Sequence, residues 1–158
     1  MNAKNICNLK ILCYICVKEL LNTKPAIMKN QIFRTVKEWL LDYEFNITLE
    51  DETQRILIIE KESNGIKNMI LIISDSILIM EQFLFEIKNP SEKTFLRLLQ
   101  KNRDIVHGAF VLDSTGKRVI FRDTLPTDNM AQNEVMASIN SLGILVGEFT
   151  NEMLEMSK

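Results

Sequence analysis

Apolar residues fall into two kinds of run along this chain of 158 residues. Some recur at helical spacing and others are unbroken. Between positions 28 and 43, Ile32, Phe33, Val36, Trp39, Leu40 and Tyr43 share one face, and Lys29, Arg34, Lys37, Glu38 and Asp42 share the other. That spacing predicts an amphipathic helix with the single tryptophan in its buried stripe. Four runs thick with β-branched residues follow, at 45–50, 55–62, 66–73 and 77–85. Asn64-Gly65 signals a two-residue hairpin and Asp75-Ser76 a weaker turn, so an antiparallel meander is the economical arrangement. Asn89-Pro90-Ser91 then opens a second helix over 91–103, with Ser91 as its N-cap and Phe95, Leu98 and Leu99 as its buried stripe. Residues 107–122 read as a β-hairpin around Asp113-Ser114-Thr115-Gly116, where Gly116 is free to take a positive φ. Leu125-Pro126-Thr127-Asp128 ends that strand and caps a long helix over 129–156. Val135, Ile139, Leu142, Val146, Phe149 and Met153 give this helix a heptad-like seam, and Gly143 and Gly147 permit close backbone approach. The order α-β-β-β-β-α-β-β-α predicts an α+β fold, an antiparallel sheet with helices.

The unbroken runs carry more information than the strands themselves. A sheet with one face in water alternates apolar and polar residues. Here Ile56-Leu57-Ile58-Ile59, Met69-Ile70-Leu71-Ile72-Ile73 and Ile77-Leu78-Ile79-Met80 do not alternate, so both faces of the sheet need cover. With three helices to supply it, either the helices wrap both faces or one face is buried against a second molecule. The second arrangement is favoured, because large exposed apolar patches are rare on monomers. The residues expected to bind a protein partner are Ile70, Ile72, Ile77 and Ile79, joined by Val146 and Phe149 if the last helix pairs across a homodimer. The competing expectation is that all six are core of their own chain.

Residues 1–27 differ from the rest. Lys4, Lys10, Lys18 and Lys24 face one acid, Glu19, around an apolar patch at 11–17. The patch is too short and lacks the cleavage site of a signal peptide. Three readings stay open: a genuine tail or an extension ahead of a start at Met28, and, behind both, a signal-like segment. A single domain is expected over 28–158, where 20 acidic residues outweigh 15 basic ones. No basic field draws nucleic acid or an anionic membrane, and no apolar run approaches the ~18 residues that cross a bilayer.

Chemistry is sparse. Cys7, Cys13 and Cys16 include a CxxC pair, but with no nearby histidine they cannot complete a zinc site, and no βαβ pattern surrounds them. His107 is the only histidine. A relay with Ser114 and Asp113 can be drawn, yet both have a full explanation in the turn. Glu60 and Glu62 are spaced to share a strand face, which more simply keeps the strand end soluble. Lys117, Arg118 and Arg122 around Phe121 could imitate an RNA-stacking strand, but Asp113 and Asp123 flank them. The expectation is no enzyme, no cofactor, no metal and no nucleic acid. The rival from another class is a small-ligand sensor or unrecognised enzyme with a pocket near His107.

The segment Phe95-Leu96-Arg97-Leu98-Leu99-Gln100-Lys101-Asn102, followed by His107-Gly108-Ala109-Phe110-Val111-Leu112-Asp113, Gly116-Lys117-Arg118-Val119 and Asp123-Thr124-Leu125-Pro126, resembles the type III secretion chaperone-like superfamily. The closer resemblance is to its bacterial YbjN-type branch of sensory transduction regulators and Tir-chaperone-like proteins. It runs from about Met28 to Leu154. The resemblance implies a non-enzymatic, cytoplasmic, often homodimeric protein whose apolar surface grips extended segments of other polypeptides. Dedicated secretion chaperones of this fold are usually more acidic than this chain, which favours a general chaperone-like or regulatory binder. The matching motifs are structural, so the resemblance assigns no site residue.

Overall fold

The computed structural model describes residues 26–158. Helix α1 (Ala26–Asp42) leads into strands β1 (Asn46–Asp51), β2 (Ile56–Lys61), β3 (Ile66–Ile73) and β4 (Ile77–Glu86). Helix α2 (Glu92–Asn102), strands β5 (Ala109–Leu112) and β6 (Arg118–Pro126), and helix α3 (Gln132–Met156) complete the chain. The strands form one antiparallel sheet in the order β1-β2-β3-β4-β6-β5. β6 returns beside β4, and the short β5 becomes an edge.

Local chemistry explains the boundaries. Helix α1 ends in a Schellman motif: the Phe45 N–H donates to Leu40 O, and the Glu44 N–H to Leu41 O. Glu44 takes the left-handed position at φ 58°, where glycine is usual. Ser91 caps α2 as expected, its hydroxyl accepting from the Thr94 N–H at 3.2 Å. Asp75-Ser76 turns the chain between β3 and β4, with the Ser74 N–H donating to Ile77 O.

Several details differ from the sequence expectation. The β2–β3 connection is a 3₁₀ turn at Glu62–Asn64 ending in left-handed Gly65, not a two-residue loop. Glu62 therefore sits in the turn and does not share a strand with Glu60. Arg55, at φ 54°, closes the β1–β2 turn and does not start β2. Helix α3 starts at Gln132, and Glu134 accepts from the Ala131 N–H in half a capping box. Thr127 is not its cap: the Thr127 N–H donates to Ser76 O and its hydroxyl to Asp75 O, tying the end of β6 to the β3–β4 turn. Leu99 is 68% exposed, because the buried side of α2 is set by Phe95 and Leu98.

The two faces of the sheet are packed differently. Leu57, Ile59, Met69, Leu71, Ile73, Leu78, Met80, Val119 and Phe121 form one cluster with Phe33, Val36 and Leu40 of α1, Leu98 of α2, and Val135, Ile139, Leu142 and Leu145 of α3. All three helices thus back the same face. Close approach there demands glycine at two points. A Cβ on Gly108 would lie 2.4 Å from Phe121 Cζ, and one on Gly143 would lie 2.7 Å from Asn64 O. Gly147, by contrast, faces open space.

Candidate functional site

The opposite face carries a second cluster, Ile58, Ile70, Ile72 and Ile79, flanked by Leu49, Ile56 and Ile77. Register explains it. Ile58 pairs with Ile70, Ile56 with Ile72, and Ile72 with Ile79, so every second residue of three neighbouring strands meets its counterparts across the ladder. No residue of the described helices contributes to this cluster. The four isoleucines expected from the sequence, Ile70, Ile72, Ile77 and Ile79, come together here. Ile56, Ile58 and Leu49 also belong to the face and were missed. Their signal was the period of two continuing backwards into β1 and β2, which gains meaning only once the register is known.

Polar pairs bound the aliphatic patch. Glu81 and Arg122, partners in the β4–β6 ladder, form a half-buried ion pair at 2.7 Å along one side. Beyond them, the Arg118 guanidinium lies 4.7 Å from the centre of the Phe83 ring. At one end of the strands, Arg55 pairs with Asp75 at 2.8 Å. The surface inside these pairs offers dispersion and apolar burial and no directional chemistry. It suits apolar side chains of a polypeptide better than any one functional group.

Val146 and Phe149 do not join this face. Both are half-buried on α3 against the helix-backed core, and the Lys101 ammonium stands 4.3 Å from the Phe149 ring centre. Glu152 clasps α2 to α3 by accepting from Arg97 at 3.0 Å and pairing with Lys101 at 3.2 Å. Burial raises the Glu152 pKa, but these two cations outweigh it and hold the carboxyl below its ordinary value.

The drawn catalytic relay is not assembled. Asp113 Oδ1 accepts from the Thr115 N–H and hydroxyl and from the Arg118 N–H, closing the hairpin turn. Burial raises the Asp113 pKa, and these hydrogen bonds outweigh it to leave the carboxyl below its usual range. His107 lies at the other end of β5, a strand roughly 13 Å long. There its carbonyl accepts from the Ser141 hydroxyl. His107 lines a cleft of about 350 Å³ with Ile105, Val106, Ser141, Ile144 and Phe149. Of the cations on the hairpin, Arg118 covers Phe83 and Arg122 pairs with Glu81, so neither is free for phosphate. Cys7, Cys13 and Cys16 lie outside the described residues, and among the described ones no group of acids, cysteines and histidine is placed to hold a metal. Among the described residues, no helix is long and apolar enough to cross a membrane.

Comparisons with known proteins place the fold. YbjN, described as a candidate transcription regulator from E. coli, aligns with a TM-score of 0.59 at 13% identity, covering 75% of this chain and 91% of its own. A chain of the HopA1-SchA chaperone-effector complex aligns with a TM-score of 0.58 at 13% identity, covering 83% of this chain and 99% of its own. No curated protein sequence matches the chain. The CesT_Tir_1 family profile spans residues 29–158, nearly all that the structure describes. With its single antiparallel sheet backed by three helices, the chain belongs to the CesT_Tir_1 family, a type III secretion chaperone family.

Proposed function

We propose that this protein is a non-enzymatic, chaperone-like binder that takes an extended apolar segment of another polypeptide on the helix-free face of its sheet. The observation that carries this reading is the aliphatic cluster of Ile58, Ile70, Ile72 and Ile79, which no described helix backs. Family membership and the likeness to a chain of a chaperone-effector complex support it. Affinity comes from burying Ile and Leu side chains, with main-chain pairing available at the β1 or β5 edge. We place the protein in the cytoplasm as a homodimer. Leu96 and Leu99, at 52% and 68% exposure, are the apolar residues α2 offers to a second copy. Light scattering over a concentration series reads that state directly.

The test of the docking face is site-specific photo-crosslinking in the cells that make the protein. A benzophenone side chain at Ile77, half-buried at the margin of the face, is compared with one at the exposed Leu41 of α1. Adducts at Ile77 whose partner peptides are apolar and extended support the reading. A set of adducts at Leu41 that matches the set at Ile77 removes it.

The cleft beside His107 favours a second reading, a small-ligand sensor. Its volume of about 350 Å³ falls within the roughly 300–1,000 Å³ of ordinary ligand sites. Asp104, Asn140 and Glu148 supply polar groups at its wall. Because His107 is the only histidine, its imidazole signals in an NMR fragment screen report on this cleft alone.

A further inference from the structure

The loop between α2 and β5 is pinned from two sides. The side chain of Asn102, the last residue of α2, accepts from the Phe110 N–H at 2.7 Å and donates to Phe110 O at 3.2 Å. The Ser141 hydroxyl of α3 donates to His107 O at 3.0 Å. Gly108, at φ 78°, sits so close to Phe121 that no Cβ would fit. Residues 103–107 are therefore held against α3 as a fixed wall of the cleft beside His107. A wall set before binding spares a ligand the cost of ordering it.

The cleft keeps apolar groups in water. Val106 is 86% exposed and Ile144 62%, and the half-buried Ile105 and Phe149 line it beside them. Covering these groups is favourable by apolar burial. A concave space of about 350 Å³ has the dimensions of a small-molecule site, whereas polypeptides are taken on sheet edges and long grooves.

Charge then selects among small molecules. Asp104 stands on the loop wall, and Glu148 stands on α3 in one row with Asn140 and Ile144 at steps of four. No lysine or arginine lines the cleft. Glu152, one turn beyond Glu148, takes both Arg97 and Lys101, and Lys101 also covers the Phe149 ring. Those cations are committed to holding α2 against α3. Neither Asp104 nor Glu148 forms an ion pair with a described residue. An anion entering the cleft meets two uncompensated carboxylates, whereas a cation neutralises them. We propose that the cleft takes a small amine, its ammonium group held by Asp104 and Glu148 and its apolar body lying on Ile105, Val106, Ile144 and Phe149. This rests on the small-ligand reading of the cleft and adds the chemical class of the ligand.

Three probes with one apolar body and different charge test it on the full-length protein: 4-phenylbutylamine, 4-phenylbutanol and 4-phenylbutanoate. The His107 imidazole and Ile144 methyl NMR signals report binding. The amine should shift both signals and saturate, binding about fivefold more tightly than the alcohol through two exposed ion pairs. High salt should shrink that advantage. Asp104→Asn combined with Glu148→Gln, both at exposed side chains, should bring the amine to the affinity of the alcohol and leave the alcohol unchanged. Equal affinity for all three probes, or tightest binding of the carboxylate, keeps the cleft as a small-ligand site and overturns the amine. Tighter binding of the peptide acetyl-Leu-Lys-Leu-amide than of 4-phenylbutylamine assigns the cleft to a basic stretch of polypeptide and also overturns it. Unmoved His107 and Ile144 signals with every probe overturn both the amine and the small-ligand reading beneath it.

Discussion

The two faces of the sheet use the same residue types for different ends. Leu71 and Ile72 are neighbours in β3, and both are buried. Leu71 points into a core shared with α1, α2 and α3, whereas Ile72 points into a small cluster built only from other strands. One face holds the fold together. The other has an aliphatic surface with no described helix against it, bounded by the Glu81–Arg122 and Arg55–Asp75 pairs. Hydrophobicity alone therefore does not tell the two faces apart; what packs against each does.

Substitution on each face measures this difference. The largest effect is expected at Leu71→Ala, which leaves a cavity among packed helices and costs about 4 kcal/mol, against about 2 kcal/mol for Ile72→Ala. Urea unfolding of the two variants gives both numbers. Equal costs would mean that the second face is core in the same sense as the first. Gly108→Ala should cost about 3 kcal/mol, because its positive φ strains any other residue and the new Cβ would collide with the buried Phe121 ring. The same unfolding experiment reads it, and the damage should fall on the helix-backed face, with Trp39 fluorescence reporting the loosened packing.

Smaller effects should leave the second face untouched. Glu44→Gly relieves the left-handed position that ends α1 and should stabilise the protein by about 0.5 kcal/mol, seen as a higher urea midpoint. The smallest effect is a pH dependence. The folded-state pKa of Asp113 is depressed, so its contribution is fully present above the ordinary aspartate range. That contribution is lost as the pH falls from there through the lowered folded value. Asp113→Asn should therefore be less stable than the natural protein at neutral pH and converge with it in acid. Parallel acid titrations of the two proteins check this, and a constant gap down to the lowest pH would contradict it.

Much of the architecture was legible from pattern alone. The strands β3 and β4, the Ser91 cap and the Asp113 turn follow from short-range chemistry, and they lie where the sequence places them. Legibility failed where a distant contact decided the outcome. Leu99 has the helical spacing of a buried residue, but α2 rolls so that Phe95 and Leu98 meet the core and Leu99 faces water. Thr127 looks like a cap, yet its hydroxyl is taken by Asp75 O from the β3–β4 turn, 52 positions away in sequence. Of the candidate face, Ile70, Ile72, Ile77 and Ile79 were readable from their own runs. Ile56, Ile58 and Leu49 required the cross-strand register.

By itself, the sequence determined that this protein has a sheet with two apolar faces. Side chains alternate across a strand, so an unbroken apolar run must load both sides whatever the rest of the fold does. Only the tertiary structure decided which side the helices take. Helices α1, α2 and α3 all back one face, and Gly108 and Gly143 allow the close approach this requires. The allocation depends on contacts between residues far apart in the chain, which local periodicity does not encode.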